Sequence, residues 1–133
     1  MILQVGVKAL ILNKKGEVLL LKRSPEAYPD VNNLWDIPGG RINPGVSLSE
    51  NLKREIEEET GLKMVGEPEL VAAQDILRPD KHVVRLTYRT SAEGVLVLDQ
   101  KEHSEHRWLP KQEIAKCAGL DKYVWEIAQK SLI

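Results

Sequence analysis

Residues 40–62 read GRINPGVSLSENLKREIEEETGL. From Ser47 onward the pattern is helical. The Ser47 hydroxyl can cap the first turn while Glu50, three residues on, reaches back, which makes a capping box. Gly61 stands where a helix ends on a residue of positive φ. A helix turns by about 100° per residue. With Leu48 as the reference direction, Leu52 and Ile56 fall within about 80° of it, and Glu55 and Glu59 lie roughly 20° to either side. Glu58 flanks that face and Glu57 points away. A run such as Glu57-Glu58-Glu59 is ordinarily a solvated helix face. Here two of the carboxylates lie on the apolar side, where charge needs compensation. Two glutamates about 4 Å apart repel by roughly 4 kcal/mol at an effective dielectric of 20. A bound divalent cation removes that repulsion. Arg54, directly before Glu55, is placed to orient a carboxylate, and a Gly39-Gly40 pair precedes the helix.

Together these residues resemble the Nudix family, whose box is G-x5-E-x7-R-E-U-x-E-E-x-G-U, with U a bulky aliphatic residue. Gly40, Arg54, Glu55, Ile56, Glu58, Glu59, Gly61 and Leu62 all fall on box positions. One position departs: the first box glutamate is Val46. The likeness extends to Trp35-Asp36-Ile37-Pro38-Gly39-Gly40, to Arg78-Pro79-Asp80-Lys81-His82 and to Glu102…Trp108, so it covers nearly the whole chain. It implies an α/β fold with a mixed β-sheet sandwiched between α-helices (α/β/α), and a single domain over residues 1–133.

The resemblance also implies a chemistry. Pyrophosphate linkages are cleaved with a hard cation held by carboxylate oxygens. Glu55 and Glu59 would be the main metal ligands, Glu58 would share metal or water contacts, and the Gly39 carbonyl would add an oxygen. Arg54 would hold Glu55 in place by a salt bridge. A further downstream carboxylate is usual. Glu102, six residues before Trp108, has the spacing of MutT-like members, and Glu105 is the alternative. His103 and His106 read as loop residues. The implied cofactor is Mg²⁺, with Mn²⁺ able to substitute. Val46 removes a supporting carboxylate, a kind of loss that typically lowers affinity or activity 10–100-fold.

Composition sets the outer limits. The chain has 133 residues, 42% hydrophobic and 29% charged, with a net charge of −1. That balance is ordinary for a globular domain with a core and gives no broad attraction to nucleic acid or anionic membrane. One cysteine, Cys117, permits no internal disulfide and fits a reducing cytoplasm. The apolar run Ile2–Leu12 is too short to span a bilayer and lacks the features of a signal peptide.

Period-two alternation of Val5, Val7, Ala9 and Ile11 predicts a strand over Ile2–Leu12. Asn13-Lys14-Lys15-Gly16 reads as a hairpin turn into a second strand at Glu17–Lys22, whose unbroken apolar run implies burial on both faces. Short strands are expected at Trp35–Ile37 and Arg107–Leu109, and longer ones at Leu70–Leu77 and His82–Thr90. A strand is also expected from Gly94 to Leu98. Pro110 can open a short helix near Gln112–Cys117, and a longer helix runs from about Asp121 to Leu132.

Substrate selectivity lies outside the box. The compact length and the MutT-like downstream stretch favour a nucleoside triphosphate, in which an oxidised base is one possibility, cleaved to monophosphate and pyrophosphate. ADP-ribose, a nucleotide sugar or a dinucleoside polyphosphate is the alternative. Arg23, Trp35, Gly40 and Asp121 are the candidate substrate contacts: Trp35 to stack on a base, Asp121 to accept from a purine edge, and Arg23 (or Lys22) to meet phosphate. Tyr28 and Asn33 could line the entrance. The expected partner is a small nucleotide, and the chain is expected to act as a monomer or homodimer. Two competing classes are a non-catalytic nucleotide sensor, favoured only by Val46, and an isomerase of isoprenoid diphosphates, which needs a cysteine placed better than Cys117.

Overall fold

The computed structural model describes residues 1–133. Its strands are β1 (Ile2–Ile11), β2 (Glu17–Arg23), β3 (Trp35–Asp36), β4 (Gly39–Arg41), β5 (Lys63–Leu77), β6 (Lys81–Glu93) and β7 (His103–Pro110). Its helices are α1 (Leu48–Thr60), α2 (Lys111–Ile114) and α3 (Lys122–Gln129). The strands form two sheets. One is mixed, in the order β4-β1-β6-β5, with β1 and β6 parallel. The other is antiparallel, in the order β3-β2-β7.

The apolar pattern explains the layers. Val7, Ala9 and Ile11 of β1 join Leu19 and Leu21 of β2 in a core closed by Leu52 and Ile56 of α1. The alternate residues, Leu10 of β1 with Val18 and Leu20 of β2, enter a second core with Ile114 of α2 and Val124 and Ile127 of α3. The unbroken run of β2 is therefore buried on both faces, and helices cover both sides of the strands.

Several expectations need correction. Asn13–Gly16 does turn the chain, with the Asn13 side chain accepting from the amides of Lys15 and Glu17. The strands on either side of that turn enter different sheets, joined only by a Leu12–Val18 bridge, so they do not form a hairpin. Gly39 and Gly40 begin β4, a strand not foreseen, which pairs with β1 at Lys8 and Val7. Gly94–Leu98 is irregular. It pairs with no strand, and the Val97 amide donates instead to the Thr60 carbonyl at the end of α1. Leu48 does not centre the buried face of α1: it is exposed, while Asn51, Leu52, Ile56, Glu59 and Thr60 are buried. The Ser47 cap forms with the Glu50 amide, and Gly61 ends the helix at φ 70°. Glu50 makes no return bond to the Ser47 amide, so only half of the box is closed.

Candidate active site

α1 and β4 build the site together. The Gly39 amide donates to Glu59 Oε2 at 2.6 Å, and Gly40 packs against Glu55. A Cβ on Gly40 would stand 2.7 Å from Glu55 Oε2, so only glycine leaves the carboxylate its place. A Cβ on Gly39 would stand 2.1 Å from the Val7 carbonyl oxygen.

Arg54 fixes the outer edge of the helix. Its Nη2 lies 2.9 Å from Glu55 Oε1, and its Nε lies 3.7 Å from Glu58 Oε1. The same guanidinium donates to Asn51 Oδ1 at 2.8 Å. Asn51 is fully buried. It also accepts from the Asn43 amide and donates to the carbonyls of Val46 and Ser47, tying the loop after β4 to the first turn of α1. Nothing in the sequence distinguished Asn51 from an ordinary polar helix residue.

Glu55, Glu58, Glu59 and Glu102 all line one cavity of about 340 Å³, with Gly39 and Gly40 in its wall. Ligand-capable atoms of Glu59, Glu102 and His103 lie within 4.8 Å of one another. His103 is not a plain loop residue: it is buried as the first residue of β7, with Nε2 3.6 Å from Glu59 Oε1. Glu105 points elsewhere, paired with Lys22 at 3.2 Å. Tyr28 also lines the acidic cavity, and Asn33 lines a separate shallow one.

Burial, reinforced by Glu55 and Glu102, pushes the Glu59 carboxyl up to about 7, against the opposing pull of Lys8 and of the Gly39 amide. Burial and then the cations Lys8 and Arg23 push His103 down to about 4, which leaves its imidazole neutral at pH 7. A carboxyl whose pKa is raised chiefly by burial, beside further carboxylates and a neutral imidazole, is a donor set suited to a divalent cation.

Behind this cavity lies a buried charge network. Asp36 is contacted by Lys8 at 3.2 Å, Arg23 at 3.1 Å and Arg85 at 3.0 Å. Burial alone would raise the Asp36 pKa; Arg85, Lys8 and Arg23 overcome it and hold the carboxyl well below its usual range. Arg85 also reaches Asp121 at 3.4 Å. Asp121 caps α3 by accepting from the amides of Tyr123 and Val124.

A second cavity, of about 460 Å³, adjoins the first and shares Lys8, Arg23, Gly39 and Gly40 with it. Arg23, Gly40 and Asp121 line this cavity. Trp35 does not. It is buried in the core of α2 and α3, with the Arg107 guanidinium 4.2 Å over its ring, and it lines neither cavity. Its ring is spent on packing and cannot stack on a base.

Residues 2–130 match the family model of the NUDIX domain. The chain is 31% identical to a MutT protein of Methanosarcina mazei, over 97% of this chain and 92% of that one, with a TM-score of 0.81. It shares its fold with a MutT Nudix hydrolase of Burkholderia pseudomallei, at 24% identity and a TM-score of 0.80 over the whole of both chains. A protein of Bacillus subtilis named putative 8-oxo-dGTP diphosphatase is 48% identical over 56 residues, 42% of this chain and 34% of that protein. Human 8-oxo-dGDP phosphatase NUDT18 is 30% identical over 112 residues, 81% of this chain and 32% of that protein. The matched stretches thus span about a third of the length of these two curated relatives.

Proposed function

The chain belongs to the Nudix hydrolase family, and we propose that it is a Mg²⁺-dependent pyrophosphohydrolase that cleaves a nucleoside triphosphate, foremost one with an oxidised purine, to monophosphate and pyrophosphate. The observation that carries this reading is the convergence of Glu55, Glu58, Glu59 and Glu102 on one cavity walled by Gly39 and Gly40. The oxidised base is favoured by the relatives named for 8-oxo-dGTP and 8-oxo-dGDP.

Glu55 and Glu59, with Glu58, Glu102 and the Gly39 carbonyl, would hold the cation. When bound, such a cation neutralises diphosphate charge and lowers the pKa of water. Arg54 is a positioning residue: it fixes the Glu55 carboxylate and steers that of Glu58. Gly40 lets the phosphate chain approach the carboxylates closely. Arg23, at the junction of the two cavities, meets phosphate, and Asp121 offers an acceptor to the base edge. Residues 1–133 act as one domain, as monomer or homodimer, in a reducing cytoplasm. Manganese would substitute for magnesium at the same carboxylates.

A phosphate-release screen tests the reading. Canonical and oxidised nucleoside triphosphates, ADP-ribose, nucleotide sugars and dinucleoside polyphosphates are incubated with Mg²⁺ and either inorganic pyrophosphatase or alkaline phosphatase. Signal that requires pyrophosphatase supports triphosphate cleavage. Signal seen only with alkaline phosphatase moves the substrate to a linked diphosphate. Silence on every substrate overturns the enzyme assignment.

A further inference from the structure

The cavity beside the acidic one carries far more cationic than anionic side chains. Six basic residues line it, Lys8, Arg23, Arg41, Arg78, Lys81 and Arg85, against two acidic ones, Asp80 and Asp121. Three of the cations are accounted for, because Lys8, Arg23 and Arg85 all pair with the buried Asp36. Arg41, Arg78 and Lys81 make no ion pair, although Asp80 shares their cavity.

The placement of these three is specific. Arg78 and Lys81 are the two ends of the β5–β6 turn, locked by reciprocal backbone hydrogen bonds around Pro79-Asp80. Arg41 ends β4, immediately after the two glycines of the active-site wall. The β5–β6 hairpin and β4 lie on opposite sides of β1, yet the side chains meet in one cavity. Burial, and then the neighbouring guanidiniums of Arg85, Arg23 and Arg78, press the Arg41 pKa down. Arg85, buried in the same cavity, has an Nε without a hydrogen-bond partner. Only three of the fourteen lining residues are hydrophobic, which is poor in apolar surface for a pocket that would hold a bare base. Converging cations without carboxylate partners suit a phosphate, to which Arg and Lys bind by charge-assisted hydrogen bonds.

We propose that Arg41, Arg78 and Lys81 form a phosphate subsite, and that the preferred substrate is a nucleotide carrying a phosphate on its nucleoside portion in addition to the chain that is cleaved. This rests on the pyrophosphohydrolase reading for its orientation: the cleaved chain lies over the carboxylates and the nucleoside enters the second cavity beside Asp121.

The test begins without metal, so that it does not depend on turnover. Inorganic phosphate is titrated into the full chain while backbone amide signals are followed. Saturable shifts at Arg41, Arg78 and Lys81 are expected, with affinity reduced at least tenfold in the Arg78→Ala, Lys81→Ala double variant. Arg78→Gln with Lys81→Gln serves as a second pair; both positions keep their backbone bonds, so both pairs should fold. No shift at these residues, shifts confined to Lys8 and Gly39, or unchanged affinity in the variants overturns the subsite. The second stage compares kcat/KM for a nucleoside 5′-triphosphate with and without a 3′-phosphate. The phosphorylated member should be favoured at least tenfold, and the preference should vanish in the double variant while activity on the plain triphosphate stays within threefold. Equal kcat/KM in the unmodified protein overturns the substrate class. Loss of Mg²⁺-dependent turnover on both members sinks the hydrolase reading and leaves the phosphate titration to decide the subsite.

Discussion

Glu59 Oε2 accepts a 2.6 Å hydrogen bond from the Gly39 amide, across twenty residues of chain. This bond anchors β4 to the last turn of the acidic helix and fixes one oxygen of Glu59. The other oxygen faces His103 at 3.6 Å. One carboxylate therefore both holds the wall of the site and takes part in the proposed metal set.

Glu59 makes the metal-free protein sensitive to pH. Its folded pKa, about 7, stands above the ordinary value of 4.5, chiefly because it is buried. The protonated form is thus the one favoured by folding. Its contribution to stability is complete below about 4.5 and is lost as pH rises through about 7. A shift of this size corresponds to roughly 3–4 kcal/mol. Glu59→Gln keeps an oxygen for the Gly39 amide and removes the ionisation. At pH 8 without metal, the variant should melt several degrees higher than the parent. Its Mg²⁺-dependent turnover should fall by more than the 10–100-fold typical of partners behind a metal ligand. Equal melting temperatures at pH 8, or retained turnover, would contradict the placement of Glu59.

The two glycines of the wall should separate stability from activity. Gly39 has φ 147°, and a Cβ there collides with backbone at 2.1 Å. Gly39→Ala should break the β4–β1 pairing and destabilise the fold by several kcal/mol. A Cβ on Gly40 meets only the movable end of Glu55, at 2.7 Å. Gly40→Ala should melt within a few degrees of the parent and lose activity about 10–100-fold through the displaced carboxylate. Thermal melts paired with steady-state rates distinguish the two. A Gly40→Ala variant with full activity would mean that the Glu55 position is irrelevant.

Asp36 is the one anion that pairs with all three of Lys8, Arg23 and Arg85, while Asp121 reaches only Arg85. Asp36→Asn leaves buried Lys8 without its ion pair and buried Arg85 with Asp121 alone. Breaking a buried pair in this way typically costs 3–5 kcal/mol. Urea denaturation should show a lower midpoint with an unchanged slope. A loss below about 1 kcal/mol would show that water or another group already neutralises the cluster.

The sequence revealed what depends on local pattern. Ser47, Gly61 and the helical spacing of Leu52 and Ile56 each act within a few residues, so α1 and the carboxylates it carries were legible. Pairings between distant residues were not. Lys8, Asp36 and Arg85 lie on three strands, and each alone resembles a charged residue at a strand surface; only the meeting of the sheet that carries β3 with the sheet that pairs β1 and β6 buries them together. Gly94–Leu98 has the β-branched residues of a strand but finds no edge to join, and tertiary contacts with the end of α1 override its propensity. His103 looked like one of several polar loop residues until the start of β7 folded it against Glu59.

Val46 replaces the glutamate that opens the Nudix box, and its surroundings limit what that replacement can do. The side chain is exposed and lines neither of the two adjoining cavities, while the backbone carbonyl accepts from the buried Asn51. The loop geometry thus rests on the backbone of Val46, which any residue supplies. Val46→Glu should leave stability within about 0.5 kcal/mol of the parent, as for exposed substitutions in general. A carboxylate at this exposed position adds negative charge near the acidic cavity without entering it. Solvent screens such a charge, so Mg²⁺ affinity and kcat/KM should rise less than tenfold. Isothermal titration with Mg²⁺ and steady-state rates on the same preparation measure both. A gain of a hundredfold or more would show that the loop carrying Val46 closes onto the carboxylates, and that the missing glutamate limits the activity of this chain.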